Sequence, residues 1–125
     1  SVVHPDMKDD GWHFGSDYDG ATGDRLYGLP FVRDLYTKAQ PDVTTRVTVP
    51  ILWDKQQETI VSNESSEIIR MFNSAFNGVT GNTDDYWPEA MHDAIAPVND
   101  RIYDTLNNGV YRCGFAAYKN ALPAR

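Results

Sequence analysis

The 125-residue chain is 41% hydrophobic and 23% charged, the balance of a globular protein with enough apolar surface for a core. Its formal net charge is −7, and its eleven basic residues form no run, which excludes the basic stripe that nucleic acid requires and works against an anionic membrane surface. A single cysteine, Cys113, has no partner for an internal disulfide, so a reducing, cytoplasmic compartment is expected.

The chain opens Ser1-Val2-Val3-His4-Pro5, with no leader pattern and no Met, so a start further upstream is expected. Residues 1–25 are rich in Gly and Asp (Asp9-Asp10-Gly11, Asp19-Gly20, Thr22-Gly23-Asp24) and read as a long loop of the kind that carries function. Phe31, Val32, Leu35, Tyr36 and Ala39 then fall at helical spacing, with Pro30 in the first turn and Pro41 as the stop. The β-branched, apolar run Arg46 to Trp53 predicts a buried strand, Asp54 to Gln57 a turn, and Glu58 to Ser62 a second strand, making an antiparallel hairpin. Asn63 to Glu67 opens another helix, capped by small polar residues, with Ile68, Ile69, Phe72, Ala75 and Phe76 on its apolar face. Residues 78–86 read as a linker. Trp87-Pro88 starts a long helix with Met91, Ile95, Val98, Ile102 and Leu106 on one side, kinked at Pro97. The content is α/β, or α+β, divided into residues 1–77, the linker 78–86, and residues 87–125. No apolar run is long enough to span a bilayer.

Two features stand out chemically. Pro50 falls within a strand, where it has no N–H for the ladder; a cis Val49–Pro50 bond at a turn accommodates it, and so does a plain edge strand. Glu64-Ser65 sits at a strand-to-helix junction, where helix N–H groups attract an anion and the Glu64 carboxylate can take an ammonium; the same residues also suit simple N-capping. Asp17, Asp19 and Asp24 surround Gly20 and Gly23, but a calcium loop starting at Asp17 needs a ligand at Ala21 and an acid at Gly28, and has neither. His4, His13 and His92 are too dispersed in sequence to suggest zinc, so no metal is expected.

Longer strings carry a resemblance. Gly11-Trp12-His13-Phe14, Gly20-Ala21-Thr22-Gly23-Asp24, the run Arg46 to Asp54, the run Asn63 to Asn73 and the run Ile102 to Tyr111 resemble, in order, the glutathionyl-hydroquinone reductases, the xi class of glutathione transferases, from about Val2 to about Phe115. The resemblance implies an incomplete thioredoxin-like domain followed by the start of an all-helical C-terminal domain. It implies glutathione as co-substrate and reduction of S-glutathionyl-hydroquinones through a cysteine mixed disulfide. By similarity, Val49 and Pro50 meet the cysteinyl part of glutathione, Glu64 and Ser65 hold its γ-glutamyl head, Trp12 and Arg46 line the pocket, and Tyr111 faces the quinol. Taken singly, Trp12 reads as a loop anchor, Arg46 as a surface ion pair and Tyr111 as core.

The sequence departs from the family where the chemistry is done. The family's nucleophile lies in a Cys-Pro-Trp segment at a helix start, and no such segment occurs here. Cys113 stands two residues after Tyr111 and reads as a small, partly buried side chain. The expectation is a chain that binds glutathione without turning it over, and a homodimer; the alternative is a non-catalytic binding or dimerisation module with an exposed sheet edge.

Overall fold

The computed structural model describes residues 1–116 and divides into two units, Ser1–Phe72 and the residues from Asn73 onward. In the first unit, residues 1–30 form a loop closed by isolated bridges, Val2 to Gly23 and His13 to Phe31. Asp24 organises its end: the carboxylate accepts the Leu26, Tyr27 and Leu29 N–H groups at 3.0, 3.1 and 3.1 Å, around Gly28 at φ +68°. Helix α1, Val32–Ala39, follows, and the Asp34 carboxylate accepts the Phe31 N–H at 3.1 Å to finish its first turn. Val32, Leu35 and Tyr36 recur at helical spacing and are buried, with Val32 only 1% exposed.

Strands β1, Leu52–Asp54, and β2, Thr59–Ser62, pair antiparallel, with a register shift between Leu52 and Trp53. The turn is held by Asp54 Oδ1, which accepts the Gln56 and Gln57 N–H groups at 2.7 and 2.9 Å. The long strand expected from Arg46 is therefore much shorter. Pro50 has no N–H to offer, and both backbone groups of Thr48 are bonded to a side chain rather than to a neighbouring strand. Helix α2, Ser65–Ser74, packs Ile68 into the core, while Ile69 and Phe72 of the expected apolar face are exposed.

The division between units falls inside α2, ahead of the expected boundary at residue 77. Asn73 bonds forward instead: its amide donates to Asp85 at 2.8 Å and its carbonyl accepts the Tyr86 N–H at 2.7 Å. The expected linker is partly helical, as α3, Asn77–Thr80, closed by Gly81 at φ +70°. A 3-10 turn, Glu89–Met91, leads into α4, His92–Ile102, which contains Pro97. The long helix expected here runs on through a π segment at Tyr103–Asn107 into α5, Asn108–Phe115, with the backbone helical at each junction. Among the described residues, no helix is long and apolar enough to cross a membrane.

Candidate functional site

The Val49–Pro50 peptide is cis, as the sequence allowed. Val49 is exposed, and among the described residues its N–H and C=O take no hydrogen bond. That free edge is held from behind by Tyr36 of α1. The phenol donates to the Thr48 carbonyl at 3.0 Å and accepts the Thr48 N–H at 3.2 Å. It also accepts the Asn63 side-chain amide at 3.0 Å, and that amide reaches Thr48 Oγ1 at 3.2 Å.

Asn63 leads directly into the start of α2. The Glu64 carbonyl accepts the Glu67 and Ile68 N–H groups at 3.1 and 3.0 Å, so Glu64 is the residue that caps the helix. The side-chain bond at the cap comes from Ser62, just ahead of the polar stretch at residues 63–67 from which it was expected: the buried Ser62 hydroxyl accepts the Glu64 N–H at 3.1 Å and donates to the Glu67 carboxylate at 2.9 Å. The Ser65 and Ser66 N–H groups, the Ser65 hydroxyl and the Glu64 carboxylate take no partner among the described residues and are exposed. An open helix start beside an exposed acid is what an α-amino-acid head, carboxylate plus ammonium, fits.

Trp12 is half-buried, and its carbonyl accepts the Val32 N–H at 3.0 Å, which fixes the Gly11–Phe14 segment against the start of α1. Arg46 is exposed, and none of the ion pairs among the described residues involves it: they join His4 to Asp17, Arg33 to Asp10, Lys38 to Glu58 and Arg112 to Asp104. Tyr111 and Cys113 lie on α5 in the second unit. Both are exposed, so neither a core Tyr111 nor a partly buried Cys113 describes them. The residues that sequence reasoning missed are Tyr36, Thr48, Asn63 and Ser62. A tyrosine on the apolar face of a helix was the available signal, because a buried phenol needs a partner.

The loop also brings His4 and His13 together, which their separation in sequence does not suggest. Their rings stack at 4.6 Å, and His4 Nε2 lies 3.8 Å from the Asp17 carboxylate. Ligand atoms of all three lie within 4.8 Å of one another. His4 Nδ1 accepts the Asp6 N–H at 3.1 Å, so the proton of the neutral ring sits on Nε2. The two rings lie 25° from parallel, and His13 Nδ1 is buried without a hydrogen-bond partner among the described residues. At Asp24, burial works to raise the carboxyl pKa, but the Leu29, Leu26 and Tyr27 amides and the Ser1 hydroxyl outweigh it and hold the value below the ordinary one.

No family model matches the chain. Its sequence is 53% identical over 121 residues to the Escherichia coli (strain K12) protein named glutathionyl-hydroquinone reductase YqjG, a match taking in 97% of this chain and 37% of that protein. It is 46% identical over 121 residues to glutathionyl-hydroquinone reductase PcpF of Sphingobium chlorophenolicum, covering 97% of this chain and 38% of that one. Among solved structures, glutathione-bound YqjG from E. coli K-12 matches with a TM-score of 0.90 at 53% identity, over 97% of this chain and 39% of that one. Glutathione transferase Xi 1 from Trametes versicolor matches at 0.88 and 49% identity, over 97% and 43%.

The fold is thus that of a glutathione transferase, part of the thioredoxin-like domain followed by the first helices of the helical domain. Within that fold the chain belongs with the xi class, the glutathionyl-hydroquinone reductases. It spans less than two fifths of the length of these two curated relatives. The 121 aligned residues exceed the stretch Val2 to Phe115, so the similarity runs past the point where the motifs end.

Proposed function

We propose that this chain supplies the glutathione-binding surface of a glutathionyl-hydroquinone reductase. The observation that carries the reading is the free Val49 backbone standing beside an open helix start at Ser65 and Ser66. Glutathione is a small anionic peptide. Its cysteinyl unit would pair with Val49 as an added strand does, and its γ-glutamyl head would take the Ser65 amide and hydroxyl and the Glu64 carboxylate. Arg46 offers an unengaged fork for a carboxylate, and Trp12 a flat wall.

In the proposed reaction a cysteine thiolate attacks the sulfur of an S-glutathionyl-hydroquinone. The carbon–sulfur bond breaks, the ring carbon takes a proton, and a mixed disulfide forms. A second glutathione thiolate then attacks the glutathionyl sulfur of that disulfide, forming glutathione disulfide and releasing the cysteine thiolate. The thiolate would come from a Cys-Pro segment, which these 125 residues do not contain; Cys113 is followed by Gly114. Tyr111 would face the quinol and hydrogen-bond its oxygen. The chain alone is therefore expected to bind but not to turn over, and reductase activity in the pure 125-residue chain would overturn that expectation.

The test is a calorimetric titration with glutathione. Binding that weakens several-fold in both Glu64→Gln and Arg46→Ala supports the site, and no binding to the unchanged chain sinks it. A homodimer in a reducing, cytoplasmic setting is part of the same proposal. Exposed Ile69, Val79, Leu106 and Phe115 also favour the second reading, a dimerisation module. A strict monomer by light scattering counts against a dimer in either form.

A further inference from the structure

The two segments that would hold glutathione, Thr48–Val49 and Asn63–Glu64, must stand at a separation set by the ligand, because its cysteinyl and γ-glutamyl units are covalently joined. The hairpin between them does not fix that separation. Its paired residues run only from Leu52 with Ser62 to Asp54 with Thr59, and the register slips between Leu52 and Trp53. Thr48 and Asn63 both lie outside the paired stretch.

The Tyr36 hydroxyl closes this gap. A phenol can donate one hydrogen bond and accept two. Here the donor goes to the Thr48 carbonyl, and the two acceptor positions take the Thr48 N–H and the Asn63 amide, all between 3.0 and 3.2 Å. The capacity of the group is fully used, and on both sides it is used on the two segments in question. The second proton of the Asn63 amide goes to Thr48 Oγ1, which ties the pair directly as well. The phenol itself cannot drift, because Tyr36 is 6% exposed and stands on α1 beside buried Val32 and Leu35.

We propose that Tyr36 is the positioning residue of the glutathione pocket. It sets the distance and orientation between the strand edge at Val49 and the helix start at Glu64 without touching the ligand. This rests on the glutathione reading above and deepens it.

The experiment compares Tyr36→Phe with Tyr27→Phe. The second variant also removes a phenolic hydroxyl from the first unit, one that accepts the Trp53 indole N–H at 3.1 Å, but it joins neither segment. Amide hydrogen exchange and calorimetric titration with glutathione are measured on the unchanged chain and on both variants. In Tyr36→Phe the Thr48 amide should exchange roughly tenfold faster, and glutathione should bind roughly tenfold more weakly, than in the unchanged chain. In Tyr27→Phe neither quantity should move by more than about twofold. Unaltered exchange at Thr48, or equal weakening of glutathione binding in both variants, overturns the positioning role. Failure of the unchanged chain to bind glutathione overturns the functional reading and the role with it. That failure is told apart by the Thr48 amide, which would still respond to Tyr36→Phe alone.

Discussion

The two units use apolar residues in opposite ways. The first places Val32, Leu35, Tyr36 and Ile68 in a small core and hangs the candidate site on it. The second has helices with equally apolar stripes, yet no residue from Asn73 to Ala116 is buried. Amphipathic helices draw most of their stability from what covers the apolar face, not from propensity. A stripe in a sequence therefore announces a need for a partner surface, and only the first unit meets that need from within its own described residues.

The sharpest way to break this comparison is one truncation made in both places. Val32→Ala should cost about 2 kcal/mol, because it empties space in a packed core. Val79→Ala, at a residue 89% exposed, should change stability by less than about 0.5 kcal/mol. Urea denaturation of the two variants decides it, and equal losses would erase the distinction between the units.

The next effect belongs to the hinge between strand and helix. Ser62→Ala removes the hydroxyl that serves both the Glu64 N–H and the Glu67 carboxylate, and should cost about 1 to 2 kcal/mol. Ser65→Ala, at the residue that the sequence offered as a cap, should cost only a few tenths of a kcal/mol in the absence of ligand. The same denaturation midpoints separate them, and a larger loss at Ser65 would return the capping role to it.

Acid should sharpen the comparison further. The Asp24 carboxyl is held below its unfolded value, so its contribution is complete above the unfolded pKa and is lost as pH falls through the folded one. The stability of the first unit should therefore drop below roughly pH 4, and Asp24→Asn should flatten that part of the curve. Asp85 in the second unit is also lowered, by the Asn73 side chain and the Trp87 N–H, but it is fully solvated and Asp85→Asn should give the smallest change of all. A steeper acid response from Asp85 than from Asp24 would contradict the account of the loop.

Much of this was legible in the sequence, for physical reasons that differ by residue. Helix α1 follows from the spacing of Val32, Leu35 and Tyr36, whereas Pro50 left a cis bond and a plain edge strand both open, and the structure has the cis bond. The strand from Arg46 to Ile51 was misread because composition reports only what a side chain suits. It does not report that the backbone of Thr48 has already spent its two hydrogen bonds on a phenol. Glu64, one of the residues offered for capping, is the cap, and the side-chain bond at that point comes from Ser62 at the end of β2, because its buried hydroxyl accepts the Glu64 N–H. The meeting of His4 and His13 was illegible because it depends on how a long loop folds back, which local pattern does not encode. Val49, Glu64 and Ser65 are candidates through the family strings, whereas the tie between their segments depends on a phenol from a distant helix that no local string contains.

That tie has a consequence for how such sequences can vary. The Tyr36 hydroxyl has no spare bonding capacity, and each of its partners, Thr48 and Asn63, is also bonded to the other. Replacing Tyr36 strands both backbone groups of residue 48 and one Asn63 amide proton, whereas any residue with a backbone N–H keeps its bonds to the phenol at position 48. Across diverging descendants, the identity at position 36 should therefore be held more tightly than that at position 48, while the residues of the intervening hairpin turn drift independently.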